Sequence, residues 1–273
     1  MSAVLFTLLD HVRVEASHFG RIELGAPWGS RIGERDNVSI HHVVEGELWI
    51  DIDGVTRHVM AGDLLVLPRG IPHVLRHAQD APIARDDWSE PAIDDLAVHR
   101  VLGGDGARTV VLCASLELNG PARSLLVRAL PVLLHLKGER GEAVPGLTRL
   151  LDGIRDELRQ RRSASSRFAT RFAEMLLFQA VRSAFERSEA SAFARSPLAD
   201  PRLGRALDAL YRHPERNWTV VTLARVAGQS RSSFARHFHE LVGETPLRHL
   251  TRFRIESAKE RLVREPGVGI AES

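Results

Sequence analysis

Hydrophobic and polar positions change rhythm along this chain. Up to about residue 118 the apolar runs are short and punctuated by Gly and Pro: Val43-Val44, Leu48-Trp49-Ile50, Leu64-Leu65-Val66-Leu67 and Val110-Val111-Leu112. The turn signals Asp53-Gly54 and Ala61-Gly62-Asp63 recur at roughly ten-residue spacing, which predicts an antiparallel sandwich or barrel. From residue 119 to 190 the period becomes helical. Leu147, Leu150, Leu151, Ile154 and Leu158 form one amphipathic stripe. Phe168, Phe172, Met175, Leu176 and Gln179 form a second, widened by Leu177, Phe178 and Val181. A helix apolar around most of its girth has to be covered on more than one side. One side is expected to meet the strands; the other meets a second subunit or an intramolecular core.

The last third is helical with clear stops. Residues 188–200 are rich in Ser and Ala and end in Pro197-Leu198-Ala199-Asp200, the composition of a linker. Asp200 caps a helix that has Pro201 at its first position, with Leu203, Ala206, Leu207 and Leu210 inward. Thr219 is the N-cap of a short helix whose inner face is Leu223, Ala224 and Ala227. Gly228-Gln229-Ser230 is a tight turn, and Ser230 caps the next helix. Phe234, Phe238 and Leu241 share that helix's buried face, and Gly243 ends it. Two short helices joined by a Gly-containing turn predict a helix-turn-helix. Thr245 and Pro246 then open a last helix with Leu247, Leu250, Arg254, Ile255, Ala258 and Leu262 on or beside one face. Arg254 is expected to lay its stem along that face while its head finds a carboxylate or carbonyl.

The outward face of the second short helix carries the candidate chemistry. Ser232, Ala235, Arg236 and His239 lie opposite the phenylalanines. Small residues let such a helix sit deep in a major groove, and Arg236 can reach O6 and N7 of one guanine. Arg225, Arg231, Arg248 and Arg252 surround the face and could meet phosphates. The same residues would also make the solvated basic surface of an ordinary helical hairpin. Charge distribution favours the nucleic acid. The net charge is only +2, yet residues 1–145 hold 14 Lys and Arg against 20 Asp and Glu, while residues 201–273 hold 13 against 8. Positive charge gathers where a polyanion would bind. The single cysteine, Cys113, excludes an internal disulfide, suits a reducing compartment and is expected to be a small buried hydrophobe. No charged-then-apolar leader and no apolar run of about 18 residues is present, so a cytoplasmic protein is expected.

The C-terminal stretch resembles the first helix-turn-helix of the AraC/XylS family of bacterial transcription regulators. Matching residues are Trp218-Thr219, Leu223-Ala224, Ser230, Phe234, Arg236, Phe238, Gly243, Thr245-Pro246, Arg254, Ala258 and Leu262. The resemblance implies double-stranded DNA as partner, with base contacts from Arg231, Ser232, Ala235 and Arg236. It implies phosphate contacts from Arg225, Ser230, His239 and Arg252. It further implies a homodimer through the middle helices, and RNA polymerase as a partner if the protein activates. The family's DNA-binding domain has two such units; here the chain stops after Gly269-Ile270-Ala271-Glu272-Ser273, as the second would open. Weak, salt-sensitive DNA binding is therefore expected unless dimerisation pairs two units.

The N-terminal region is similar to the cupin-type sensor domain of a subset of that family. Gly62, Pro68, Gly70 and His73 fit the second cupin motif, and the run from His42 to Trp49 resembles the first. The expected fold class is α+β. A cupin-like antiparallel β-barrel occupies 1–136, a helical coupling or dimerisation segment 137–190, a linker 191–200 and the DNA-binding domain 201–273. Trp28, His42, Trp49 and His73 are the candidate pocket for a small-molecule effector. Many cupins hold a metal on two histidines and a glutamate of the first motif and a histidine of the second. Here the glutamate position is Ser39, no His-x-His precedes it, and the adjacent His41 and His42 point to opposite faces of a strand. No metal, no other cofactor and no enzymatic activity are expected. A cupin metalloenzyme remains an alternative, as does a relic that dimerises with full-length relatives without binding DNA.

Overall fold

Alternation along the strands explains how the N-terminal half folds. In β4 (Glu47–Ile52), Leu48, Ile50 and Ile52 are buried while Glu47 is exposed and Trp49 and Asp51 half-buried. One face goes into a core and the other toward water. The fold is that of a computed structural model, which describes residues 3–83, 85–86, 97–138, 146–147, 149–151, 153, 156, 165–186 and 196–264. The other strands are β1 (Arg13–Gly25), β2 (Gly29–Ile32), β3 (Val38–Glu45), β5 (Val55–Met60), β6 (Leu64–Leu67), β7 (His73–Arg76), β8 (Arg85–Asp86), β9 (Ala97–Gly103), β10 (Arg108–Asn119) and β11 (Leu134–Leu136). They make one sheet in the order β11-β6-β3-β10-β1-β9 and another in the order β5-β4-β7-β2-β8.

The two sheets share a core. Ile22, Val43, Leu65 and Val111 from the first meet Ile32, Leu48, Ile50 and Leu75 from the second. The expectation of a purely antiparallel sheet needs correction, because β1 pairs with β9 and β2 with β8 in parallel. Each of these pairs joins strands far apart in sequence, so no tight turn forces them antiparallel. All four residues of β6 are buried, which requires cover on both faces. Helix α3 (Ser165–Glu186) packs against β11, the neighbour of β6. It buries Ala169, Ala173, Leu176, Leu177 and Ala180 and leaves Phe168 and Met175 about half exposed. Of the earlier helical stripe, Ile154 and Leu158 lie outside the described residues; Leu147 is buried.

The chain folds as two compact units, one of Val14–Leu118 with Val132–Arg187, the other of Met1–Arg13, Asn119–Pro131 and Ser188–Ser273. The first is the sheet unit. The second is helical: α1 (Ala3–Leu9), α2 (Arg123–Ala129), α4 (Pro201–Arg212), α5 (Val220–Ala227), α6 (Arg231–Val242) and α7 (Pro246–Arg264). These units depart from a linear boundary at residue 136. Val4, Leu5 and Leu8 of α1 are fully buried, α1 packs on α4, and Thr7 Oγ1 donates to Asp208 Oδ1 at 2.6 Å. Residues 191–195 of the expected linker lie outside the described residues.

Candidate nucleic-acid interface

Local sequence sets the helix pair α5 and α6. Thr219 Oγ1 accepts from the Thr222 N–H at 3.1 Å, and Thr222 Oγ1 accepts from the Thr219 N–H at 2.9 Å, a reciprocal cap. Gly228 ends α5 at φ +67°, where a side chain would be strained. Arg205 closes the same end by donating to the carbonyls of Val226 and Ala227 at 3.3 and 3.1 Å. Ser230 Oγ accepts from the Ser233 N–H at 3.2 Å to start α6, and Gly243 ends it at φ +81°. Each cap stabilises its helix by about 1 kcal/mol.

Helix α6 is held from its inner face. Phe234 and Phe238 are fully buried with ring centroids 5.6 Å apart. Val242, not Leu241, completes the stripe, because steps of four follow the tilt of the buried face. On one flank His237 reaches Asp200, the cap of α4, at 3.4 Å, and meets Gln229 at 3.1 Å. On the other, Phe238 stacks edge-on against His249 of α7, with centroids 5.6 Å apart.

His249 belongs to a buried relay. The Tyr211 hydroxyl donates to His249 Nε2 at 2.6 Å, and His249 Nδ1–H donates to Glu244 Oε1 at 2.8 Å. Arg252 donates to the same oxygen from Nη2 at 2.7 Å and from Nε at 3.2 Å. Burial, with the Arg252 charge beside it, holds the His249 imidazole down at about 4 against the pull of Glu244. Burial raises the Glu244 carboxyl, but Arg252 and His249 bring it below its ordinary value. Burial pushes the Tyr211 phenol up. Sequence reasoning missed both His237 and His249, whose partners Asp200 and Tyr211 are far away in sequence.

The outward face is open. Arg225, Arg231, Ser232, Arg236 and His239 are exposed, and Ala235 is half-buried beside Arg236. The Arg236 side chain is 77% exposed and touches Glu240 only at 4.0 Å. Arg248 is 81% exposed, 3.9 Å from Glu244. Arg252 requires a correction: expected to meet a phosphate, it is turned inward and its guanidinium is committed to Glu244. Arg254 finds carbonyls, donating to Pro214 O at 2.6 Å and Arg216 O at 2.7 Å.

The four expected effector residues do not converge. Trp28 sits in the core between the sheets, and His73 is buried two residues from the core residue Leu75. Trp49 lies on the other face of β4 and stacks on His58, with centroids 4.7 Å apart. His42 also faces away, giving Nδ1 to the Asp63 carbonyl at 3.0 Å. The residue that joins His73 is His41, at 3.0 Å between their Nε2 atoms. His73 Nδ1 lies 2.8 Å from the Ile71 carbonyl, and His41 Nδ1 lies 3.2 Å from Cys113 Sγ. A carbonyl can only accept, which fixes the proton order. Cys113 S–H donates to His41 Nδ1, His41 Nε2–H donates to His73 Nε2, and His73 Nδ1–H donates to Ile71 O. Burial lowers both imidazoles and pushes the thiol up to about 12, so this chain is neutral. Every imidazole lone pair in it is already taken. Among the described residues no cluster of three or more His, Cys, Asp or Glu could hold a metal ion. No helix among them is long and apolar enough to cross a membrane.

A cupin family model matches residues 3–186. An AraC-like transcription regulator from Streptomyces lividans is 31% identical over 242 residues, covering 87% of this chain and 78% of its own length. The HTH-type transcriptional regulator AlkR from Acinetobacter baylyi is 24% identical over 264 residues, covering 94% and 86%. Among solved structures, the AraC-like transcriptional activator CuxR aligns over 83% of this chain and 68% of that chain at 14% identity, with a TM-score of 0.33, too loose to add to the assignment. The chain belongs to the AraC-like DNA-binding transcription regulators that carry a cupin domain.

Proposed function

We propose that α5, its turn and α6 form a helix-turn-helix and that α6 enters the major groove of double-stranded DNA. Arg236 pairs with a guanine while Arg231, Ser232 and Ala235 line the approach. Arg225, Ser230, His239 and Arg248 meet phosphates. Arg252 is left out, because it holds Glu244. The observation that carries this reading is the 77% exposed Arg236, projecting beside small side chains from a helix fixed on its inner face by two buried phenylalanines. The sheet unit senses an effector or dimerises, and the exposed Phe168 and Met175 of α3 are the surface for a second copy. A soluble cytoplasmic regulator that meets RNA polymerase when it activates fits the same reading.

Selection of bound genomic fragments supplies a site, and fluorescence anisotropy on that site and on single-base variants tests the assignment. Arg236→Ala should lose about 1–3 kcal/mol on the selected site and discriminate less at one base pair. Arg225→Ala should weaken all sequences alike and lower the salt slope by about one. Equal loss on every sequence for Arg236→Ala would remove it from the base-reading set.

A further inference from the structure

Residues 119–131 run between β10 and β11 in the chain, yet they fold as part of the helical unit. Their helix, α2, is anchored there by its apolar face: Ala122, Leu125, Leu126, Ala129 and Leu130 are all buried. The start of α2 is tied to the end of α4. The Ala122 N–H donates to the His11 carbonyl at 3.3 Å, and His11 Nε2–H donates to the Tyr211 carbonyl at 3.2 Å. Tyr211 is the residue whose hydroxyl opens the relay to His249.

The other end of α2 reaches α6. Arg128, in the last turn of α2, brings its guanidinium to the C-terminal end of α6, so near that a Cβ at Gly243 would stand 3.0 Å from Nη1. The last four carbonyls of a helix have no partner within it, and they carry the negative end of its dipole. A guanidinium is favourable at that place. Its charge also reaches the relay: His249, held down first by burial, is lowered further by Arg252 and by Arg128. Helix α6 is fixed at its start by Ser230 and on its inner face by Phe234 and Phe238. Arg128 meets its far end from outside the helix-turn-helix. Arg236 stands about 9 Å along the axis from that end, so a small tilt there moves its guanidinium.

We propose that Arg128 is a positioning residue for DNA reading: it holds the C-terminal end of α6 and so sets the angle at which Arg236 meets its base pair. A stretch strung between two strands of the sheet unit thereby contributes to reading without touching DNA. Its role in reading rests on the DNA-reading assignment; its hold on α6 does not.

Two variants of the full chain test this. Arg128→Gln removes the charge at similar length, and Arg128→Lys keeps it. Nitrogen–proton correlation spectra without DNA report the hold. The amides of His239 to Glu244 should shift in Arg128→Gln and return most of the way in Arg128→Lys, with those of α5 unmoved. On the selected site, fluorescence anisotropy should show about a two- to fivefold loss for Arg128→Gln. Discrimination at the base pair read by Arg236 should fall, the salt slope should stay, and Arg128→Lys should recover both affinity and discrimination. With Arg236→Ala already present, Arg128→Gln should cost no further discrimination. The proposal falls if the amides at the end of α6 do not move, or if they move with no change in discrimination. It falls equally if Arg128→Gln weakens all sequences alike and lowers the salt slope by about one, which would make Arg128 a phosphate contact. Should Arg236→Ala itself lose equally on every sequence, the base-reading assignment fails and the reading role of Arg128 fails with it; the spectra without DNA still decide the hold on α6.

Discussion

The two units bury histidine in opposite ways. Between the sheets, His41 and His73 stand in a neutral chain that starts at a thiol and ends at a carbonyl. In the helical unit, His249 stands between a phenol and an ion pair. A neutral chain tolerates small shifts of its members, because each bond contributes only about 1 kcal/mol net. A half-buried carboxylate shared by an imidazole and a guanidinium tolerates less, since removing one partner leaves its charge poorly compensated. The first arrangement fills a core. The second sets the relation between Tyr211 on α4, Glu244 just after α6, and Arg252 on α7, and so fixes the helix that carries Arg236.

The strongest way to break this contrast is to remove the ring that joins α6 to the relay. Phe238→Ala deletes a fully buried side chain packed on both Phe234 and His249. It should cost about 3–5 kcal/mol. Hydrogen exchange should show the loss in α4 to α7, with the sheets unchanged. Loosening of the sheets to the same extent would mean that the two units do not answer separately.

Acid should sharpen the contrast next. The His249 imidazole is held at about 4 when folded, below its ordinary 6.5. As pH falls, the unfolded chain takes up the proton first. The stability contributed is therefore complete above about pH 6.5 and is lost progressively down to pH 4, a loss on the order of 3 kcal/mol. Glu244, also depressed, adds in the same direction at lower pH. The facing groups are Tyr211 from α4, Glu244 and Arg252 around it, and Arg128 of α2. Thermal unfolding followed from pH 8 to pH 4 should fall steeply in the native chain and less steeply in His249→Gln. Parallel curves would place the titrating group elsewhere, with His41 and His73 the next candidates.

Sequence pattern reached local features of the helical unit and stopped at distant ones. Asp200 with Pro201, Thr219, Gly228, Ser230 and Gly243 are all legible, because a cap uses backbone groups within three or four residues. The partner of Arg252 was not legible, since Glu244 lies eight residues back, outside α7 and beyond its start. Nor was the Tyr211–His249 bond, between residues 38 apart. The same limit applies to the sheets. Alternation marked β4, but register with a distant parallel strand is set by packing, so β1 with β9 and β2 with β8 carried no signal. Adjacent His41 and His42 were legible as pointing to opposite faces. Which of them meets His73 depends on how β3 and β7 face each other across two sheets, and that choice removed His42 from the expected pocket.

The smallest test concerns the neutral chain. Cys113→Ala removes the S–H that donates to His41 Nδ1 and leaves that nitrogen without this donor, a cost of about 1–2 kcal/mol. Cys113→Ser supplies a stronger donor in similar volume and should recover most of it. Neither substitution should change the pH profile assigned to His249, because neither touches its partners, and burial already lowers both His41 and His73 from their ordinary value. The contrast between the units then predicts a specific pattern by proton-detected nitrogen NMR. In Cys113→Ala the ring nitrogens of His41 should shift while those of His249 stay fixed. If the alanine variant instead brings His41 into titration above pH 6, the thiol bond is holding the chain neutral, and the sheet unit would share the acid sensitivity assigned to the helical one.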